Sequence, residues 1–126
     1  MFTNHSELVS ALKKEPGHIH ADLTAARIDI WHAGTGIVGE AGELIDAIKK
    51  HVIYNRELDI KNVVEEMGDI EFYMEQLRQA LNITREETIQ ANLDKLNKRY
   101  AEGKFSDQQA QVRADKVQKA VDDATA

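Results

Sequence analysis

The sequence predicts an all-α fold: a four-helix-bundle core with weaker helical extensions at both ends, assembled as a homo-oligomer. Three observations carry this. From Asp59 to Leu81 the apolar positions Ile60, Val63, Met67, Ile70, Met74, Leu77 and Leu81 alternate steps of three and four, the period of one helix face. No stretch reads as a strand hairpin or a βαβ unit. The chain has 126 residues and one proline, which fits a single domain over 1–126 whose modest core is enlarged by association. The core is expected over about residues 20–105, and residues 106–126 form a helical or partly disordered tail.

The first helix is expected over about Thr3–Glu15, with Leu8, Val9 and Leu12 on its apolar side, and Pro16-Gly17 ends it. His18 and His20 then read as solvated loop residues rather than a zinc pair, because no further ligand stands nearby. A second helix starts near Ala21, passes through Leu23, Ala26, Ile30 and Trp31, and ends between His32 and Gly34. Thr35 is the expected N-cap of a third helix over about Gly36–Tyr54. Asn55-Arg56-Glu57 makes a turn into the fourth helix, Asp59–Leu81, which Asn82 closes. Thr84 followed by Glu87 is a capping-box signature that opens a fifth helix reaching about Tyr100, with Ile89, Leu93 and Leu96 on one side. Beyond Gly103, Phe105, Val112, Val117 and Val121 keep a loose helical spacing.

Composition narrows the chemistry. Hydrophobic residues make up 42% and charged residues 30%, a mixture suited to helices with heavily charged outer faces. No apolar run approaches the roughly 18 to 20 residues that span a bilayer, and the amino terminus lacks a secretory layout, so the expectation is a cytoplasmic protein without membrane contact. The absence of cysteine removes disulfides, thiolate ligands and thiol nucleophiles. A net charge of −6 argues against a nucleic-acid polymer as partner, since affinity for the phosphate backbone comes largely from Lys and Arg.

One phrase occurs twice: Glu40-Ala41-Gly42-Glu43-Leu44 and Glu66-Met67-Gly68-Asp69-Ile70. Each reads acid, apolar, glycine, acid, apolar. On a helix the two acids of each copy lie a turn apart on one face. Each pair is expected beside an apolar seam, Ala41, Leu44 and Ile48 in the first and Met67, Ile70 and Met74 in the second. Packing the two seams together brings Glu40, Glu43, Glu66 and Asp69 toward one place, and the glycines suggest close backbone approach. A single E-x-x-E is common on solvated helices; two around equivalent glycines say more. Converging carboxylates repel unless a hard cation joins them, and oxygen-only ligation suits Mg²⁺, with Mn²⁺ as a substitute. A di-iron bundle would need Glu-x-x-His, which neither copy has. On the fifth helix Asn92, Lys95 and Arg99 share a face. Such residues are usually only a wet surface, but beside an acidic metal site they are candidate donors to phosphate oxygens.

In this order, E-x-x-E, E-x-x-D and N-x-x-K-L-x-x-R-Y, standing at Glu40–Glu43, Glu66–Asp69 and Asn92–Tyr100, the sequence resembles the MazG-like all-α nucleoside triphosphate pyrophosphohydrolases. That superfamily includes all-α dUTPases and phosphoribosyl-ATP pyrophosphohydrolases, and the resemblance covers about residues 20–105. It implies a homodimer or homotetramer, Mg²⁺ held by the four acids, and cleavage between the α- and β-phosphates of a nucleotide. Glu40, Glu43, Glu66 and Asp69 are also the catalytic candidates; the sequence does not single out a general base among them, and Glu43 is the one favoured here, while Lys95, Arg99 and Asn92 would hold phosphate oxygens. The nucleoside would fall to the preceding helix, where Trp31, His32 and Arg27 are candidates, although a lone tryptophan in a small bundle is more often core. Substrates narrowed to dUTP or phosphoribosyl-ATP are the alternatives within enzymes. A helical dimeric interaction module without turnover is the alternative outside them.

Overall fold

A computed structural model describes residues 1–125, with the backbone alone for 117–121. All of its regular structure is helical: α1 (His5–Leu12), α2 (Pro16–Asp22), α3 (Ala25–Val52), α4 (Ile60–Leu81), α5 (Arg85–Arg99), α6 (Asp107–Val112) and α7 (Ala114–Thr125). No strand occurs among the described residues, and no described helix is long and apolar enough to cross a membrane. The chain forms two compact units, Met1–Leu81 and a second that begins at Asn82.

The first unit is built on the α3–α4 hairpin. Thr24 starts α3, its side-chain oxygen accepting from the Arg27 N–H at 3.2 Å. Asp59 starts α4 in the same way, accepting from the Asn62 N–H at 3.0 Å. Between them the chain reverses over 53–59, helped by Asn55 at φ 50°, a left-handed value that Asn tolerates better than most residues, and by contact of His51 Nδ1 with the Arg56 carbonyl at 2.7 Å. The register of the antiparallel pair is set near its open end. Gln76 donates to Asp29 at 2.8 Å, the His32 and Tyr73 rings meet edge-on at 5.9 Å, and the Tyr73 ring lies flush against Gly36. A Cβ on Gly36 would stand 2.3–2.5 Å from three atoms of that ring, so only glycine lets the helices approach here.

Two expected boundaries are corrected. The break at His32–Gly36 does not exist: α3 runs unbroken from Ala25 to Val52, and Thr35 is an exposed mid-helix residue, not a cap. Glycine inside a helix costs about 1 kcal/mol relative to alanine, a local penalty that packing along a 28-residue helix overrides. Likewise Pro16 does not lead into a loop but opens α2, where its missing N–H is no loss at the first helical position. His18 and His20 are therefore exposed helical residues.

The packed faces are also shifted from the expected seams. On α3 Ala33 and Ala47 are buried, and Gly36, Ile37, Glu40 and Leu44 are among the half-buried positions; Ala41 and Ile48 are exposed. On α4 Val63, Glu66, Ile70, Tyr73, Met74 and Leu77 are half-buried, whereas Met67 is exposed. The first acid of each phrase thus lies in the packed face itself, not beside it.

In the second unit, the Thr84 side chain accepts from the Glu87 N–H at 3.1 Å while Glu87 accepts from the Thr84 N–H, the capping box expected there. Asn82, at φ 53°, ends α4 as anticipated. The tail is helical: Ser106 caps α6, Arg113 at φ 51° turns the chain into α7, and α7 packs on α5. The side chains of Val117 and Val121 lie outside the described residues.

Candidate metal centre

Because α3 and α4 are antiparallel and in the register just described, Glu40 comes opposite Glu66 and Asp69. One carboxylate oxygen from each lies within 4.8 Å of the other two. Glu40 and Glu66 are half-buried and Asp69 is exposed. Glu43 does not join this group. In an antiparallel pair, one turn further along α3 leads toward the hairpin connection, whereas one turn further along α4 leads away from it. Glu43 and Asp69 therefore step off in opposite directions from the Glu40–Glu66 contact.

The electrostatics agree with that geometry. Glu66 is held above the usual carboxylate range, first by partial loss of water around it, then by a hydrogen bond with Glu40 and by repulsion from Glu40, Glu43 and Asp69. Glu43 acts on it through space only. Across the helix, Asp46 pairs with Lys50 at 2.8 Å, and each strengthens the charge of the other. Three oxygen donors from two rigid helices, one of them pushed toward its neutral form, match a hard divalent cation: the cation would replace a proton as the charge that lets the group sit together.

The phrase glycines do not act as expected. Gly42 and Gly68 have open space where a Cβ would stand, and Gly36, outside both phrases, is where the helices approach closely. The sequence alone carries no signal for it, because its role depends on Tyr73 across the hairpin. Asp29, Tyr73 and Gln76, which set the register of the acids, were not anticipated either, because each matters only through its partner across the hairpin.

Trp31 is not core: it is 69% exposed. With Ile30, Gly34, Thr35, Val38 and Gly39 it lines a shallow apolar depression of about 680 Å³ on α3. Trp31 and His32 border a second depression together with Ile28 and Thr35, while His32 also reaches Tyr73 and the Gln76 amide, 3.4 Å away. Arg27 donates to the Asp22 carbonyl at 2.9 Å. In the second unit, Asn92 and Lys95 are exposed on α5. Arg99 is engaged: its Nε donates to Asp115 Oδ1 at 2.9 Å and its Nη2 to Oδ2 at 3.2 Å. This two-point pair holds the Asp115 carboxyl below its ordinary range and the Arg99 guanidinium above its own.

The all-helical hairpin thus brings together three carboxylates that could hold a metal ion. Over residues 33–103 the chain matches the family model of the MazG nucleotide pyrophosphohydrolase domain, more than half of its length. The chain belongs to that family. No curated protein and no solved structure matches it.

Proposed function

We propose that this chain is a Mg²⁺-dependent nucleotide pyrophosphohydrolase that cleaves the α–β phosphoanhydride bond of a (d)NTP to give the monophosphate and pyrophosphate. The observation that carries the reading is the meeting of Glu40, Glu66 and Asp69 oxygens from two helices within 4.8 Å, inside the stretch matched by the family. Mg²⁺, with Mn²⁺ as a substitute, would supply charge neutralisation on the triphosphate and acidify a bound water. Glu40, Glu66 and Asp69 hold that ion. Glu43, a turn away and exposed, is left to accept a proton from the attacking water. Lys95, Asn92 and Arg99 donate to phosphate oxygens and stabilise charge on the departing pyrophosphate. Trp31 offers an exposed ring for a nucleobase to stack on, with His32 and Arg27 as further candidates on the same helix.

The unit of function in this reading is a homodimer or homotetramer of single-domain chains, cytoplasmic, whose four-helix core is completed by a second copy. Its support is the thin core: among the described residues Ala33 and Ala47 are the hydrophobic side chains that are buried, while Val38, Ile45 and Val52, seven residues apart on α3, are 60–73% exposed. A strict seven-residue apolar repeat is a helix-packing seam. Trp31 stands one repeat earlier, so in this reading the nucleoside would lie at the margin of that contact.

The test is pyrophosphate release from a panel of (d)NTPs, dUTP and phosphoribosyl-ATP included, with and without Mg²⁺. Turnover is expected only with the metal. Glu40→Gln and Asp69→Asn should each lower kcat/KM by about a hundredfold or more, the scale of losing one charge-stabilising group, with helical circular dichroism unchanged. No release from any nucleotide would overturn the reading.

A further inference from the structure

We propose that the C-terminal segment is an internal brake on phosphate binding: Asp115 occupies the Arg99 guanidinium as a stand-in for phosphate and must be displaced before Arg99 can hold the substrate's anionic chain. This rests on the reading of Arg99 as a phosphate donor given above.

The contact has the form of the interaction it would pre-empt. Guanidinium recognises carboxylate and phosphate through the same paired N–H donors, and here Nε and Nη2 each reach a different Asp115 oxygen, at 2.9 and 3.2 Å. The pair is withdrawn from water, with the Arg99 side chain 16% and the Asp115 side chain 7% exposed. Arg99 is thus spent internally while Lys95, on the same helix, remains exposed.

The blocking group lies outside the stretch that matches the family model. Arg99 lies within the matched stretch, 33–103, and Asp115 lies beyond it. It is delivered by a chain reversal with two left-handed residues, Gly103 at φ 71° and Arg113 at φ 51°. The second is not a glycine and adopts this conformation at a cost, immediately before the helix that carries Asp115. A triphosphate brings more charge and more acceptor oxygens than one carboxylate, so it can displace Asp115. Its apparent affinity is reduced by the fraction of molecules in which Arg99 is free.

The experiment uses the full chain and the variants D115N and D115A. D115N keeps the size of the side chain and one acceptor, so it guards against a failure to fold, and circular dichroism checks both. With saturating Mg²⁺, KM for a turned-over nucleotide and the dissociation constant of inorganic tripolyphosphate are both expected to fall about tenfold, the factor for a site that is free about a tenth of the time, with kcat unchanged. Adding D115A to R99A should bring no such gain. In the unsubstituted chain, the Arg99 Nε–H resonance should shift when tripolyphosphate is added. Folded D115N and D115A chains with unchanged or weaker tripolyphosphate binding would make the pair a structural clasp and overturn the brake. If turnover persisted in that case, the pyrophosphohydrolase reading would stand without it. Tighter tripolyphosphate binding in chains that release no pyrophosphate from any nucleotide would sink that reading and leave a braked anion site.

Discussion

Glu66 shows most directly what the hairpin imposes on its acids. Its carboxyl is held above the ordinary range by lost hydration and by its neighbours, so the folded chain binds this proton more readily than the unfolded chain does. The stabilising contribution is therefore full below the unfolded value and lost as pH rises through the folded one. We expect the metal-free chain to lose stability as pH is raised from the carboxylate range to neutrality. Glu66→Gln should raise Tm at neutral pH and flatten that dependence while abolishing turnover. Mg²⁺ should raise Tm in the unsubstituted chain and not in the variant, by preferential binding to the folded form. Thermal melts at several pH values with and without the ion check all three. Glycine positions separate equally cleanly. Gly36→Ala forces a Cβ into the Tyr73 ring and should destabilise by about 1–3 kcal/mol, as overpacked sites do. Gly42→Ala and Gly68→Ala meet open space and should stabilise by up to about 1 kcal/mol; a loss at either would place a partner's backbone against it.

The α3–α4 pair is aligned by a few contacts on the open-end side of the acids. Asp29, His32 and Gly36 on α3 meet Gln76 and Tyr73 on α4. Because both helices are rigid, a register fixed there is transmitted about a turn down the hairpin to Glu40, Glu66 and Asp69. Removing the ring is expected to loosen the alignment: Tyr73→Ala should cost about 2 kcal/mol, less than a fully buried aromatic, and should weaken Mg²⁺ binding. Chemical denaturation and Mg²⁺ titration together test this, and unaltered metal affinity would show that the register does not depend on Tyr73. The continuity of α3 belongs to the same argument. A break at Gly34-Thr35-Gly36, as the local residues suggested, would uncouple Asp29 and His32 from Glu40.

The first unit leaves much of its apolar surface in solvent, and the exposed repeat Val38–Ile45–Val52 tells where association would bury it. Burying a side chain of this kind contributes about 1.5–3 kcal/mol, so these positions are where a second copy would gain most against the freedom lost on association. Val38→Glu or Ile45→Glu should convert the assembly to monomers in sedimentation equilibrium, and Ile89→Glu, on α5 in the second unit, serves as the comparison. A chain that is monomeric before substitution would remove the association from the proposed function.

The helical class, the α4 and α5 boundaries, the capping box at Thr84 and the identity of the acids were legible in the sequence alone, because periodicity, caps and motif spacing are short-range properties carried by neighbouring residues. Other features arise from pairs distant along the chain: the bridging of Gly34-Thr35-Gly36 by one long helix, the role of Gly36 rather than Gly42 and Gly68, the position of Glu40 and Glu66 within the packed face, the separation of Glu43 from the other three acids, and the capture of Arg99 by Asp115. Only the tertiary structure decided those. A helix's own periodicity identifies an apolar face to within about one residue's rotation, about 100°, and which side of that face a carboxylate occupies is set by the register of the helix packed against it.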